Sequence, residues 1–284
     1  MNDNNKIAII TDSGSDVSLD LAKELGIEVI PLNVNYKDRS YKDLYEITPN
    51  EVYDSLVDEI PTTSIPSPGE IGEVLDRLYG EGYQKFIIIN ISSGLSGMYQ
   101  ACDFVLKEKG YDGIAIDTKG IGLMSGVFAL YAAKLRNEGR SFDEIKHLVL
   151  KNLKNQHGYF TIETLTYLIK GGRIGLVSGV LAGMLQLKPI ISCNEDGIYY
   201  NVEKTRGRKR AIKGIARLVK KDMVRPYWLF LCEGQSQEGI HLLKEALKDE
   251  IENAQWSRVN QISPTLGIHT GPGLVGGILF VPEE

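Results

Sequence analysis

The sequence predicts an α/β protein of two domains, with residues 1–160 in the first and residues 161–284 in the second. Short β-branched runs alternate with amphipathic stretches over most of the chain, as expected where strands alternate with covering helices. The run at residues 86–91 is almost entirely apolar, which is typical of a strand buried on both faces of a parallel sheet. The length of 284 residues fits two domains. We therefore expect a mostly parallel, Rossmann-like sheet in the first domain and a mixed α/β sandwich in the second.

The elements of the first domain follow from local signals. Thr48-Pro49-Asn50-Glu51 has the spacing of a capping box with proline at the first helical position, and Ser141-Phe142-Asp143-Glu144 has the same spacing without the proline. Proline, serine and threonine make residues 61–68 a predicted loop. The predicted strands are residues 7–11, 27–34, 86–91 and 113–117; the predicted helices are residues 18–25, 49–59, 98–109 and 122–137, one ending at residue 79 and one beginning after Ser141.

The pattern changes near residue 158, where the second domain is expected to begin. Residues 194–197, Asn-Glu-Asp-Gly, predict the turn of a hairpin because glycine stands last. The other predicted elements are a helix at 163–170, a charge-free helix at 174–187, hairpin strands at 189–193 and 198–202, a basic helix, a strand at 228–232, a helix ending at 251, and two strands around 263–273.

Composition indicates a folded, cytoplasmic protein. The chain is 43% apolar and carries a net charge of −5, so it can bury enough surface to offset chain entropy. Its polar start predicts no signal peptide. Prolines and glycines interrupt the uncharged run at residues 259–282, so we expect no transmembrane segment. Three scattered cysteines do not form a disulfide framework.

Several catalytic motifs are absent. Gly271–Gly276 matches G-x-G-x-x-G by letter, but only eight residues follow it, too few for the helix and acid that a dinucleotide site requires. No G-x-x-x-x-G-K-[ST] or H-E-x-x-H occurs, so neither a P-loop nor this zinc motif is expected. The glycines around Ser96 miss the G-x-S-x-G spacing of a hydrolase by one position. We expect no cofactor and no metal.

Hydroxyl side chains occur in loops at several predicted strand ends and helix starts. They fall in three groups: Ser13 beside Asp12, Thr63 with Ser64, and Ser92 with Ser93 and Ser96. Such loops gather at the carboxyl edge of a parallel sheet, where ligands bind. Hydroxyls and free helix N-terminal N–H groups together form a site for an anion. Ordinary caps and turns would explain any one loop, but several at one edge favour an anion site.

The fourteen residues 174–187 contain no charge and predict a helix that is apolar on every side. Such a helix is either core or faces a nonpolar ligand. Beside an anion site, the second interpretation points to an amphiphile with a carboxylate head. At about 0.8 kcal/mol per buried CH₂, a sixteen-carbon tail offers roughly 12 kcal/mol before the cost of association.

Positive charge is concentrated at residues 203–225, where ten basic residues face two acidic ones. This segment indicates a local anionic partner. Nucleic acid is disfavoured, because the whole chain is acidic and no aromatic residue lies between Lys204 and Met223 to stack bases. A protein with an acidic face or bound phosphates fits better.

Short motifs occur in the order typical of one family. They are Thr11-Asp12-Ser13, Thr63-Ser64-Ile65-Pro66-Ser67-Pro68, Ile91-Ser92-Ser93-Gly94-Leu95-Ser96-Gly97-Met98-Tyr99-Gln100, Gly171-Gly172-Arg173-Ile174, Lys188-Pro189-Ile190, Arg206-Gly207-Arg208-Lys209-Arg210-Ala211 and His269-Thr270-Gly271-Pro272-Gly273. Together they resemble the DegV family of bacterial fatty-acid-binding proteins over essentially the whole chain. The resemblance implies two α/β domains with one long-chain fatty acid between them.

The resemblance also implies a partner. In the best-understood branch, the protein is not an enzyme alone: it presents the fatty acid to a separate ATP-dependent fatty acid kinase and carries the acyl phosphate toward phospholipid synthesis. The residues expected to bind ligand are Thr63, Ser92, Ser93, Ser96, Arg173, Arg206 and His269. By position, Thr63 and Ser93 would hydrogen-bond the carboxylate beside His269. Arg173 and Arg206 would form the basic surface that meets the kinase or steadies the transferring phosphate.

The chain departs from the family pattern beside the expected head-group loops. Ile65 stands where the family usually has Gln, and Met98 where it usually has Thr, which makes this region more apolar. Two alternative functions remain. One is a stand-alone kinase or hydrolase acting on a small anionic substrate, and the other is a nucleic-acid or regulatory binder that uses the basic helix.

Overall fold

The computed structural model of the protein describes residues 6–180 and 187–283. The strands are β1 (Ile7–Asp12), β2 (Ile27–Ile30), β3 (Asn33–Asn35), β4 (Ser40–Lys42), β5 (Thr62–Ser64), β6 (Lys85–Asn90), β7 (Asp112–Asp117), β8 (Gln156–Thr161), β9 (Leu187–Cys193), β10 (Tyr199–Arg206), β11 (Trp228–Gly234), β12 (Trp256–Gln261) and β13 (Leu274–Phe280). The helices are α1 (Leu19–Leu25), α2 (Pro49–Ser55), α3 (Pro68–Gly80), α4 (Met98–Lys109), α5 (Leu123–Asn137), α6 (Phe142–Asn152), α7 (Thr166–Lys170), α8 (Arg208–Lys221), α9 (Gln237–Ala246), α10 (Lys248–Glu252) and α11 (Pro264–Thr270).

The first sheet is parallel, in the order β2-β1-β6-β7, which confirms the predicted sheet. Successive residues of β1 pack into different cores because side chains alternate across a strand. Ile7 and Ile9 pack with α1 and α5, whereas Ala8 and Ile10 pack with α3 and α4. Helices therefore cover both faces, and the carboxyl ends of the strands form one loop-rich edge.

The second sheet is mixed, in the order β10-β9-β8-β13-β11-β12, and only the β11–β12 pair is parallel. Leu229 and Leu231 pack beneath α8 and α9 on one face. Phe230 and Phe280 point to the other face, where they join the core around α5. Helix α5 thus lies between the two sheets, which explains why nearly all of its side chains are buried.

A small antiparallel sheet, in the order β4-β3-β5, differs from the prediction. The predicted strand at 27–34 is two strands, because Pro31 and Leu32 interrupt it and β3 pairs away from the first sheet. The predicted loop at 61–68 contains β5, which pairs with β3. This sheet brings Thr63 toward α11.

The two strands predicted around residues 263–273 are wrong. Residues 264–270 form α11, which begins at a capped N-terminus: Pro264 occupies the first turn, and the Ser263 hydroxyl accepts a hydrogen bond from the Leu266 N–H. Strands β12 and β13 flank this helix in the sequence. The predicted helix ending at 251 is two helices, α9 and α10.

The charge-free segment at 174–187 does not form one helix. Residues 175–180 form 3₁₀ turns, Leu187 begins β9, and residues 181–186 lie outside the described residues. The hairpin of β9 and β10 is confirmed. The domain boundary at residue 160 stays a prediction, with β8 crossing it inside the second sheet. Within the described ranges, no helix is long and apolar enough to cross a membrane.

Candidate functional site

A cavity of about 80 Å³ lies where loops of the first domain meet α11 and the start of β10; we call it the polar cavity. Its polar walls come from β5, from the loop between β6 and α4, from the segment after α7 and from α11. The lining residues are Leu32, Thr63, Ser64, Ile65, Ile91, Leu95, Ser96, Gly97, Ile121, Arg173, Tyr199, Thr265, Leu266 and His269. Hydroxyls, one imidazole and one guanidinium thus share a mostly apolar cavity.

A hydrogen bond between Thr63 and His269 joins two distant parts of the chain. The Thr63 Oγ1 and His269 Nε2 atoms are 2.8 Å apart. Burial, together with the positive charge of Arg173, lowers the pKa of His269 to about 4. The imidazole is therefore neutral at pH 7, so Nε2 can either donate to the Thr63 hydroxyl or accept from it.

Arg173 supplies the positive charge in the polar cavity. Its Nη1 donates to the Gly171 carbonyl at 2.7 Å and its Nε donates to the Leu95 carbonyl at 3.3 Å. These bonds fix the guanidinium between α7 and the loop that carries Ser96. Since Arg173 also lines the cavity, its charge lies close to the Thr63–His269 pair.

A second cavity of about 30 Å³, the apolar cavity, lies between the two sheets. Both cavities share Ile121, Tyr199 and Leu266. The remaining lining residues are Asp16, Gly122, Leu123, Met124, Tyr159, Phe160, Cys232, Ile262, Thr270, Leu274 and Ile278. The apolar walls therefore come from α5, β8, β11 and β13 among the described residues, and residues 174–179 line neither cavity. Because residues 181–186 lie outside the described residues, the expected wall at 174–187 stays a prediction.

A cleft of about 510 Å³, the outer cleft, shares several residues with the polar cavity. Its lining residues are Ile60, Pro61, Thr62, Thr63, Lys170, Gly171, Arg173, Ile268 and His269. Thr63, Arg173 and His269 thus contribute to both spaces. The exposed Lys170 adds a further cation to the outer cleft.

The three serines of the predicted anion loop have different partners. Ser96 lines the polar cavity, and its hydroxyl accepts from the Met98 N–H at 3.3 Å. The buried Ser92 hydroxyl donates to the Gly197 carbonyl at 2.8 Å, which ties this loop to the turn of the hairpin. Ser93 lines none of these cavities; its hydroxyl accepts from Lys119 Nζ at 3.0 Å.

The structure therefore brings Thr63, Ser96, Arg173 and His269 together around one cavity. Arg206 lies exposed at the end of β10, opposite Leu187, and lines none of the three cavities. The roles of these residues in binding stay predictions. Of the two departures from the family pattern, Ile65 lines the polar cavity, whereas Met98 is buried in the core between α3 and α4.

Sequence reasoning missed Tyr199, Leu266 and Thr265, which line the polar cavity. The Ser263-Pro264 pair is a helix-start signal that could have placed Leu266 and Thr265 on α11. Nothing in the local sequence marks Tyr199, because only the packing of the hairpin on the first domain brings it to the cavity.

Two buried carboxyls hold the beginning of α11. The Ser263 N–H donates to Asp16 Oδ1 at 2.8 Å, and the Thr265 N–H donates to Asp43 Oδ1 at 3.1 Å. Burial raises the pKa of Asp16 to about 7 and also raises the pKa of Asp43. These groups attach the helix that carries His269 to the first domain.

This arrangement suits a ligand with one anionic head and an apolar body. Neutral hydroxyls and a nearby guanidinium would satisfy a carboxylate that would otherwise be costly to bury. The described residues contain no group of histidines, cysteines or acids that could hold a metal ion.

Comparison with known proteins agrees with the motif pattern. The family model described as "Uncharacterised protein, DegV family" matches residues 6–283. A DegV domain-containing protein from Clostridium acetobutylicum is 39% identical over 279 residues, which cover 97% of this chain and 99% of that protein. One from Clostridium perfringens is 39% identical over 273 residues, which cover 95% and 97% respectively.

Solved structures share the whole fold. A DegV family protein from Thermus thermophilus, described as fatty acid binding, has 28% sequence identity and a TM-score of 0.91, covering 97% of this chain and 99% of that one. DegV of Bacillus subtilis, a fatty acid binding protein, has 26% identity and a TM-score of 0.88, with the same coverage. Since these alignments span nearly the full length of each protein, the chain belongs to the DegV family.

Proposed function

We propose that this protein binds a long-chain fatty acid, with its carboxylate in the polar cavity and its acyl chain in the apolar cavity between the sheets. The observation that carries this proposal is that the two cavities adjoin, with Ile121, Tyr199 and Leu266 in the walls of both. The fatty acid binding described for the relatives from Thermus thermophilus and Bacillus subtilis supports it.

The carboxylate would accept hydrogen bonds from the Thr63 and Ser96 hydroxyls. With neutral His269 donating from Nε2 to Thr63 Oγ1, the Thr63 proton is free to point at the ligand. The Arg173 guanidinium stabilises the negative charge across a short, poorly screened distance. Both oxygens of the ligand's carboxylate thus have hydrogen-bond partners, and the charge of Arg173 acts on them without a direct ion pair.

The acyl chain requires the apolar cavity to widen. Cavities that hold ligands usually measure about 300–1,000 Å³, well above the volume between these sheets. Met124 is a flexible side chain in the apolar cavity's wall. Displacing it together with Leu266 would open space along α5.

We further propose that the protein presents the bound carboxylate to a separate fatty acid kinase at the outer cleft. One carboxylate oxygen would attack the γ-phosphorus of a nucleotide held by the kinase, giving an acyl phosphate and a nucleoside diphosphate. Arg173 faces both spaces and would stabilise the transferring phosphate, as an arginine binds phosphate in a bidentate way. This protein would act as the acyl carrier, with no catalytic site of its own.

The binding proposal predicts that Thr63→Val combined with Ser96→Ala weakens fatty acid affinity about tenfold or more, because two head-group donors are lost. Native mass spectrometry of the purified protein would first identify the bound molecule, and titration with palmitate and oleate would then measure affinity. Ser40→Ala is the control, since it removes an exposed hydroxyl from β4 in the same small sheet. Unchanged affinity in the double variant would contradict the head-group site.

The carrier proposal predicts that Arg206→Glu leaves fatty acid affinity unchanged but lowers acyl phosphate formation by a fatty acid kinase at least tenfold. Arg206 is exposed next to the basic α8, so charge reversal there opposes docking of an acidic partner. Lys154→Glu makes the same charge change at an exposed lysine just before β8 and serves as control. A normal rate with Arg206→Glu, or turnover of ATP without a kinase, would count against the carrier role.

A further inference from the structure

Two short helices beside the polar cavity end at glycines that lie beneath rings of the opposite helix. A Cβ at Gly171, which ends α7, would lie 2.2 Å from Nδ1 of His269 on α11. A Cβ at Gly271, which ends α11, would lie 2.2 Å from Cδ2 of Tyr167 on α7. The two helices are thus interlocked, with each ring packed on a glycine that has no side chain to displace it.

Glycine is required at position 171 because there is no room for a side chain, and not because of the backbone conformation. Its φ of −77° and ψ of −7° are ordinary helical values that any residue adopts. Gly271 differs, because its φ of 67° is itself unfavourable for other residues. A methyl group added at 171 therefore tests the contact with His269 without changing the preferred backbone conformation.

The orientation of His269 depends on this contact. Its Nδ1 is buried, and no described residue forms a hydrogen bond with it. The bond from Nε2 to Thr63 is the ring's polar anchor, and Gly171 closes the other side of the ring. The Gly171 carbonyl in turn accepts from Arg173 Nη1 at 2.7 Å, so one peptide unit touches both the imidazole and the guanidinium of the polar cavity.

We propose that Gly171 is a positioning residue: its bare Cα seats the His269 ring so that Nε2 faces Thr63, while its carbonyl holds Arg173. Any larger residue at 171 moves the ring away from Thr63. The consequence for affinity rests on the proposed fatty acid binding, whereas the placement of the ring does not.

The first test uses the ligand-free protein, so it is independent of what the protein binds. The His269 imidazole is followed by NMR in histidine-labelled protein and assigned with His269→Gln. In Gly171→Ala, we expect its pKa to rise from about 4 toward the 6.5 of a free histidine, because the displaced ring moves toward solvent and away from Arg173. Gly80→Ala, at the exposed end of α3 with open space around the added methyl, is the control. An unchanged His269 titration in Gly171→Ala overturns the proposal.

The second test is a double-mutant cycle on fatty acid affinity. Gly171→Ala should weaken palmitate binding about tenfold in the wild-type background and less than twofold in a His269→Ala background, where the methyl group has room. Equal losses in both backgrounds overturn the proposal. If Gly171→Ala alone does not fold, the double variant should fold; failure of both would locate the requirement in the backbone and overturn it. A wild-type protein that binds no fatty acid contradicts the proposed function but leaves the NMR result decisive.

Discussion

Asp16 is a carboxyl whose environment reverses the usual effect of pH on stability. Burial raises its pKa from 3.8 to about 7, and the same cause raises the pKa of Asp12 to about 6. Between pH 3.8 and 7 the folded protein therefore holds protons that the unfolded chain has released. The stabilisation from these groups is fully present below pH 3.8 and is lost as the pH rises through 7.

We accordingly predict that the stability difference between wild type and Asp16→Asn is about 1–2 kcal/mol larger at pH 5.5 than at pH 7.5, in favour of wild type. Urea unfolding at the two pH values measures it. Asp20→Asn, which removes an exposed carboxyl on α1, corrects for general charge effects. A difference that stays constant with pH would show that Asp16 is ionised in the folded protein at both values.

Individual residues also show how far a sequence motif can predict the position of a side chain. The family resemblance placed Thr63 and His269 near one another, and their atoms lie 2.8 Å apart. It assigned Ser93 rather than Ser96 to the carboxylate, although both are hydroxyls in one loop. Only the fold shows that Ser93 faces Lys119 while Ser96 lines the polar cavity. Neighbouring side chains point in different directions, and single-sequence reasoning has no means to choose between them.

Among the elements, α5 and α11 show where periodicity succeeds and where it fails. The sequence predicted a helix at 122–137, and α5 matches it. That α5 would lie between two sheets depends on contacts with Phe280 and Phe160, which are remote in sequence. Helix α11 was predicted as strand, because an uncharged run rich in apolar residues looks the same for a buried strand and a buried helix. The Ser263-Pro264 start signal resolves that ambiguity when it is used.

The three-stranded sheet is a second element that local sequence did not reveal. Its strands have three residues each and pair through Val34 with Tyr41 and Thr63. So short a strand has too few residues to establish an alternating pattern. The sheet nevertheless matters for the site, since it holds the Thr63 hydroxyl against α11. The geometry of the polar cavity thus depends on an element that is hard to predict from local sequence.

At the scale of the whole molecule, the apolar cavity lies between the two sheets, so a ligand bound there would also hold the sheets together. A ligand that binds only the folded protein stabilises it by about 2.7 kcal/mol at a hundredfold excess over Kd. For a protein of 284 residues, that predicts a rise in Tm of roughly 5 °C with palmitate. Butyrate, which has the head group without the long tail, should give little rise.

The stabilisation by palmitate should also be concentrated in particular elements of the fold. Hydrogen exchange should slow most in α5 and β13, which line the apolar cavity, because filling it removes the openings through which their amides exchange. Helix α9 covers the opposite face of the second sheet and serves as the internal reference. Protection in α9 equal to that in α5 would mean that palmitate stabilises the fold without entering between the sheets. Protection concentrated in α5 and β13 would locate the acyl chain there, and the same comparison with Met124→Ala would show whether that side chain must move to admit it.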